Sequence, residues 1–200
     1  MAAEKEKRRI TMKNTIIFLF TVFAQMYFAN AGNINVVNLT QETPLKILLT
    51  NESSEHTLSV ESRSSSRPFK LKDAPASLAP TAKGLPNLEI PHSETHRIAV
   101  LFPTTDSAEW KLIPSEASDE AWSFRIINLT GEEVKYTHHG KPLEIGKDEE
   151  TKIEVGKQKD IALTPSGGEL TGYRFNEPCS VIAFLTKSQD KIIVTFISDL

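Results

Sequence analysis

The sequence predicts an all-β protein made of two tandem antiparallel β-sandwich units behind an N-terminal signal peptide. Three observations lead to this prediction. Short runs rich in valine, isoleucine, threonine and aromatic residues recur along the chain, turn-forming residues separate them, and blocks of the first half reappear in order in the second half. The composition is globular, with 39% apolar and 24% charged residues, which excludes collagen-like, coiled-coil and wholly disordered chains.

Residues 1–31 have the parts of a secretory signal peptide. A basic segment precedes an apolar run at 15–28, and the small residues Ala29 and Ala31 stand before the expected cleavage site. The apolar run is about 14 residues long, whereas a membrane span needs about 20, so cleavage is favoured over an uncleaved anchor. The first eleven residues carry charges of both signs, which suggests Met12 as the physiological start.

Loss of this segment, which holds five Lys/Arg and two Asp/Glu, changes the formal net charge from −3 to −6. An acidic chain without a basic cluster is a poor ligand for nucleic acid and for anionic lipid, so neither partner is expected. We expect a periplasmic or extracellular protein with no stable membrane insertion after cleavage. Cys179 is the single cysteine and is expected to be a buried small residue, with a nucleophile or an intermolecular disulfide as the alternatives.

The mature chain contains a duplication. Val36–Thr40 reappears as Ile126–Thr130, and Ile98–Leu101 reappears as Ile182–Leu185. Three further blocks match in the same order: Leu45–Ile47 with Val134–Tyr136, Leu78–Pro80 with Leu163–Pro165, and Leu85–Ile90 with Leu170–Phe175. These matches predict units at 32–114 and 122–200, joined by a linker at 115–121.

The β-periodicity predicts nine strands in chain order: Asn33–Leu39, Leu45–Thr50, Arg97–Phe102, Trp122–Leu129, Glu133–Tyr136, Thr151–Val155, Asp160–Leu163, Ser180–Thr186 and Lys191–Ile197. Trp110–Leu112 also alternates between apolar and polar residues, as a strand with one wet face would. The polar run 62–68 and the Ala/Pro-rich run 72–84 are interpreted as loop insertions in the first unit.

The second unit resembles exported bacterial immunoglobulin-like β-sandwich domains of uncharacterised secreted proteins. The resemblance rests on the strand that ends at Asn128–Gly131, the hairpin through Gly140–Pro142 and the closing hairpin through Lys187–Asp190. It covers most of 122–198 and, more loosely, 34–114. It implies a fold and an exported setting, and it implies no catalytic residue.

Few residue patterns indicate chemistry. His92 and His96 are four apart, and His138 adjoins His139, but turn positions explain both pairs better than metal binding does. The acidic run 148–150 is expected to be a charged hairpin tip, and 165–168 a turn rather than an anion-binding nest. No cofactor or metal is expected.

Trp122 and Tyr173 are the candidate ligand-facing aromatics, because such rings stack on sugars, whereas Trp110 is expected in the core. Asn38, Asn51 and Asn128 each begin an N-x-S/T sequon. Asn38 and Asn128 occupy equivalent repeat positions, so we expect their side chains to bond the turn backbone.

These observations favour an exported, non-enzymatic structural or binding module of the cell envelope or the extracellular space. A carbohydrate-binding or adhesion accessory domain is one alternative, and it needs Trp122 or Tyr173 to be exposed. A hydrolase without a recognisable motif is the other alternative, and it needs titratable groups that converge in a pocket.

Overall fold

The computed structural model describes residues 32–51, 54–71, 75–91, 93, 95–116, 122–155, 160–166 and 168–199. Every regular element in these ranges is a β-strand, which confirms the all-β prediction. The signal peptide, with Ala29 and Ala31, lies outside the described residues, as do His92 and most of the predicted linker.

The described chain falls into two halves. The first half contains β1 (Asn33–Asn38), β2 (Leu45–Asn51), β3 (Ser54–Val60), β4 (Ser64–Ser65), β5 (Phe69–Lys70), β6 (Ala76–Pro80), β7 (Leu88–Ile90), β8 (Arg97–Pro103) and β9 (Ala108–Pro114). The second half contains β10 (Ser123–Asn128), β11 (Val134–His138), β12 (Lys141–Ile145), β13 (Glu150–Glu154), β14 (Asp160–Pro165), β15 (Thr171–Arg174), β16 (Ser180–Ser188) and β17 (Lys191–Asp199).

Each half forms two sheets with the same strand order. In the first half, the inner sheet runs β1-β8-β9, with β4 and β5 both paired to the other side of β1, and the outer sheet runs β3-β2-β6-β7. In the second half, the inner sheet runs β13-β10-β16-β17 and the outer sheet runs β12-β11-β14-β15. The pairs β1–β8 and β10–β16 are parallel, and the other pairs that the structure describes are antiparallel.

The pairing register is also repeated between the halves. Equivalent strand partners are Val36–Ala99 and Ile126–Ala183 in the inner sheets, and Ile47–Pro80 and Tyr136–Pro165 in the outer sheets. Because a slip of one residue would turn every side chain to the opposite face, a shared register means that equivalent residues face equivalent surroundings.

The four sheets stack in the order outer, inner, inner, outer. One apolar cluster fills each sandwich, with Ile34 and Leu78 in the first and Phe124 and Leu163 in the second. A third cluster lies between the two inner sheets, where Val100 and its neighbours meet the second half. The inner strands are therefore buried on both faces, which explains why they read as continuous apolar runs in the sequence.

The two segments interpreted as loop insertions contain strands, so that prediction was wrong. Strand β6 lies within 72–84 and occupies the middle of its sheet, with Leu78 fully buried. Strand β4 lies within 62–68, and β4 and β5 together correspond to the continuous strand β13, with one extra residue between the paired positions. At this bulge the Ser66 hydroxyl accepts a hydrogen bond from the Val36 backbone N–H at 2.9 Å. The edge of the inner sheet therefore remains hydrogen-bonded, although its sequence is typical of a polar loop.

Candidate functional site

A cleft of about 640 Å³ opens at the end of the molecule where β1 and β8 finish. The first half lines it with the loop after β1, the turn at Ser62 and Arg63, the loop after β6 and the β8–β9 hairpin, and the second half adds Thr186, Ser188 and Ile193 from β16 and β17. Loops at the end of a sandwich can change without disturbing the core, so such an end is well suited to binding.

One wall of the cleft is fixed by Asn38, whose side chain is fully buried. Its amide nitrogen donates to the carbonyl oxygens of Glu42 at 2.8 Å and Val60 at 3.2 Å. Its side-chain oxygen accepts the Thr40 backbone N–H at 3.0 Å and the Thr40 hydroxyl at 2.7 Å. The loop after β1 is thereby tied to the end of β3.

The second half repeats this arrangement around Asn128, which is also fully buried. Asn128 donates to Glu132 at 2.7 Å and to Ile145 at 3.2 Å, and it accepts the backbone N–H and the hydroxyl of Thr130 at 3.0 and 2.7 Å. The structural role predicted for the two sequon asparagines is confirmed, and neither amide is accessible to a glycan in the folded chain.

Arg63 is held at the cleft by this same wall. Its backbone N–H donates to the Asn38 carbonyl oxygen at 2.7 Å, and the neighbouring Ser62 hydroxyl donates to the Thr40 carbonyl oxygen at 2.6 Å. Arg63 has a φ of 55°, a left-handed conformation that is uncommon for residues other than glycine. The backbone contact fixes this turn, and the exposed guanidinium group stands at the cleft.

The opposite wall is the loop after β6, which carries Lys83. The Thr81 backbone N–H donates to the Lys46 carbonyl oxygen at 2.9 Å, and the Trp110 indole N–H donates to the Pro86 carbonyl oxygen at 2.7 Å. Trp110 itself is half-buried against the first sandwich core, where the sequence placed it. Both ends of the loop are thus fastened to strands.

A second cleft of about 340 Å³ adjoins the first and shares Arg63 and Ile193 with it. It extends the cavity along β17 and brings in Lys191 and Glu169. Arg63 therefore lines both clefts, and each cleft also receives residues of the second half.

The two halves differ in ion pairing at this end of the molecule. In the second half, the Lys187 ammonium group pairs with the Glu132 carboxylate at 2.9 Å and joins the end of β16 to the loop after β10. The strand registers place Pro103 and Glu42 at the equivalent positions of the first half. Proline carries no charged group, so Pro103 and Glu42 cannot form the ion pair that Lys187 and Glu132 form in the second half.

The structure places the two predicted ligand-facing aromatics around Phe175, and neither of them lines the two clefts described above. Trp122 and Tyr173 are half-buried, and both pack against Phe175, with ring centroids 5.5 and 5.0 Å from it. Both belong to the margin of the second sandwich core. Each ring therefore combines a packing contact with a partly exposed surface.

Cys179 lies half-buried beside this aromatic group. Burial raises the pKa of its thiol, with the negative charge of Glu177 acting in the same direction and a hydrogen bond from Tyr173 opposing them. A raised pKa leaves little thiolate at neutral pH, which favours the packing interpretation over a nucleophile.

The histidines do not form a metal site in the part of the chain that is described, where no group of three or more His, Cys, Asp and Glu side chains could hold an ion. The rings of His138 and His139 meet edge to face with centroids 4.3 Å apart, and burial lowers the pKa of His138. His96 Nε2 bonds the side chain of Asn35 at 2.8 Å.

The acidic run at 148–150 is split between two roles. Asp148 stands in the turn with a φ of 58°, as the hairpin-tip interpretation expects, whereas the Glu150 carboxylate lies 3.6 Å from the Arg125 guanidinium group. Arg125 is 1% exposed, points between the inner sheets and pairs with buried Asp199 at 3.1 Å. Asp199 also accepts the Ser115 hydroxyl at 2.6 Å, so this network joins both halves at the end opposite the cleft.

Sequence reasoning missed the cleft residues Arg63 and Lys83 and the buried pair of Arg125 with Asp199. The strongest available signal was Arg125 itself, since a charge inside an apolar strand requires a partner. Its partner lies 74 residues away and could not be identified by spacing.

Among the residues described, no helix is long and apolar enough to cross a membrane. No protein-family model matches the chain, and no curated protein matches it either.

Proposed function

We propose that this chain is an exported, non-enzymatic binding protein of the cell envelope or the extracellular space, and that its ligand occupies the cleft at the junction of the two halves. The observation that carries the proposal is the pair of fixed walls. Buried Asn38 holds one wall and the Trp110–Pro86 bond holds the other. Walls that are ordered before binding reduce the conformational entropy that the protein loses when a ligand binds.

In this proposal residues 32–114 and 122–200 are two tandem immunoglobulin-like units, in the broad sense of two-sheet antiparallel sandwiches. The strand order differs from that of antibody constant domains, where the first two strands share one sheet. Here β1 and β2 lie in different sheets, as do β10 and β11. The likeness therefore concerns the architecture and not the antibody topology.

The packing of the two inner sheets against each other supports a binding role. Among the described residues, eleven buried apolar side chains form the cluster between them, and the Arg125–Asp199 network lies at the end of this cluster opposite the cleft. Because the cleft also receives residues from the second half, a rigid junction keeps those residues at a constant distance from the two first-half walls. Two units joined only by a flexible linker would offer no such site.

The test is a ligand screen by thermal shift on the purified chain, repeated with a variant that fills the cleft. Ser107→Trp places a bulky ring at an exposed lining position, and Ser59→Trp, on exposed strand β3, is its matched control. A ligand of the cleft should stabilise the wild type and Ser59→Trp and leave Ser107→Trp unaffected. If every ligand found still stabilises Ser107→Trp, the cleft is not the binding site.

A carbohydrate-binding or adhesion role is the second candidate, favoured by the half-buried pair of Trp122 and Tyr173 around Phe175. Sugar rings stack on aromatic faces, so binding there should quench or shift tryptophan fluorescence. Trp122→Phe should remove that signal, and Trp110→Phe should keep it. Loss of the signal in Trp110→Phe alone would count against the aromatic site.

A further inference from the structure

We propose that the ligand of the cleft is an acidic saccharide whose carboxylate groups are bound by Arg63 and Lys83. This inference rests on the proposed function, which assigns binding to the same cleft. It adds the chemical class of the ligand, and it can fail while the cleft remains the binding site.

The first argument is charge. Arg63, Lys83 and Lys191 stand around the joined clefts, and among the residues described no carboxylate lies within salt-bridge distance of any of them. The acidic groups of the lining are Glu42 in the larger cleft and Glu169 in the smaller one. Unpaired cations are therefore available to a bound anion, and Arg binds a planar carboxylate through two parallel hydrogen bonds.

The second argument comes from the repeat. Strand pairing equates Ser65 with Glu150, so Arg63 corresponds to Asp148, and the two share the left-handed conformation with φ values of 55° and 58°. The same backbone position thus carries opposite charges in the two halves. The cation appears in the half whose loop after β1 is not bridged to the neighbouring hairpin, which is where the larger cleft opens.

The third argument distinguishes a saccharide from a peptide. A peptide that binds by β-augmentation adds a strand to an exposed sheet edge, whereas the described first-half walls of this cleft are mainly loops and turns and offer no such edge. The hydroxyl-bearing residues Thr43, Ser107 and Ser188 line it, together with Leu85 and Ile193, and the Thr43 hydroxyl donates to the Glu61 carboxylate. Hydroxyls both donate and accept, which suits the hydroxyl groups of a sugar, and the apolar side chains suit its C–H faces.

The experiment measures binding of trigalacturonate and trimannuronate to the purified chain by calorimetry. A neutral galactose trisaccharide and a triglutamate peptide serve as comparison probes. We expect the acidic saccharides to bind, with an affinity that falls as salt is raised. Arg63→Asp should weaken their binding about tenfold or more, because a charge-assisted contact is lost and a repulsive charge is added. This variant suits the fold, since the repeat itself carries Asp148 in that conformation.

Lys70→Ala is the control, because Lys70 is exposed on β5 at the opposite end of β1 and should leave affinity unchanged. Equal binding of the neutral trisaccharide, with no loss in Arg63→Asp, would overturn the assignment of an acidic ligand. Binding of triglutamate without the saccharides would overturn the saccharide class, and no binding of either acidic saccharide would overturn the inference. A ligand from the thermal-shift screen that is lost in Ser107→Trp would still support the cleft as the site.

Discussion

Removal of either partner of the buried Arg125–Asp199 pair should destabilise the whole protein. The two side chains are 1% and 0% exposed and lie 3.1 Å apart between the halves. Breaking a buried pair by removing one partner typically costs about 3–5 kcal/mol, because the remaining charge stays desolvated.

The surroundings decide where each variant falls in that range. In Asp199→Ala, Arg125 keeps the partly exposed Glu150 at 3.6 Å and Glu116 at 4.0 Å, so we expect a loss of about 3 kcal/mol. In Arg125→Ala, Asp199 keeps its bonds from the Ser115 hydroxyl and the Glu116 backbone N–H at 2.6 and 2.8 Å, and we expect a similar loss.

The double variant Arg125→Met with Asp199→Leu removes both charges and fills the space with apolar atoms. It leaves the Pro114 carbonyl and the Glu116 N–H without their present partners, so it should still cost about 1–3 kcal/mol. The loss should nevertheless be at least about 2 kcal/mol smaller than the sum of the two single losses.

Urea unfolding, followed by tryptophan fluorescence and circular dichroism, measures these free energies. Lys135→Ala is the control, because the Lys135–Glu144 pair at 3.2 Å is 64% and 61% exposed, and it should change stability by less than about 1 kcal/mol. A double variant as unstable as the sum of the single variants would refute the reasoning, since removal of both charges would then relieve none of the cost of leaving one charge buried alone.

Three further predictions concern the core and pH. Asn128→Ala should cost about 2–4 kcal/mol in urea unfolding, because buried backbone groups lose their partners, and an unchanged stability would contradict the anchoring role. Ala183→Leu should cost about 1–3 kcal/mol by overpacking the second sandwich core, where Ala183 is fully buried; an increase in melting temperature would disprove it. Burial lowers the pKa of His96 below its usual 6.5, although the Asp199 carboxylate acts in the opposite direction. Just below pH 6.5, His96 is therefore more often protonated in the unfolded chain than in the folded chain. Stability should therefore be full above pH 6.5 and fall as the pH drops through and below 6.5, and His96→Gln should reduce this slope.

The sequence predicts the strands that are buried on both faces and misses many that are not. Val36 and Val37 belong to an apolar run because one faces the sandwich core and the other faces the second half. Strand β3 reads SEHTLSV and exposes most of its residues at a sheet edge, so no apolar alternation marks it. Strand β12 begins with Lys141 and Pro142, which look like a turn although they pair with β11.

The cleft was beyond sequence reasoning for a different reason. Its walls come from four separate stretches of the first half and from the end of the second half, and only the fold brings them together. Arg63 belongs to a polar run that resembles a solvated loop, and its equivalence to Asp148 depends on strand pairing across a one-residue bulge. An alignment of short apolar blocks does not reach such a position.

The direction of the strands sets how the cleft is presented. Strand β1 begins, and β17 ends, at the end of the molecule that holds the Arg125 network, whereas the cleft lies where β1 finishes and β17 starts. Anything joined to either end of the described chain is therefore attached at the pole opposite the cleft. A surface or partner that tethers the protein by its ends leaves the cleft facing outward. Strand β8, with seven residues at roughly 3.3 Å each, spans the distance between the two poles.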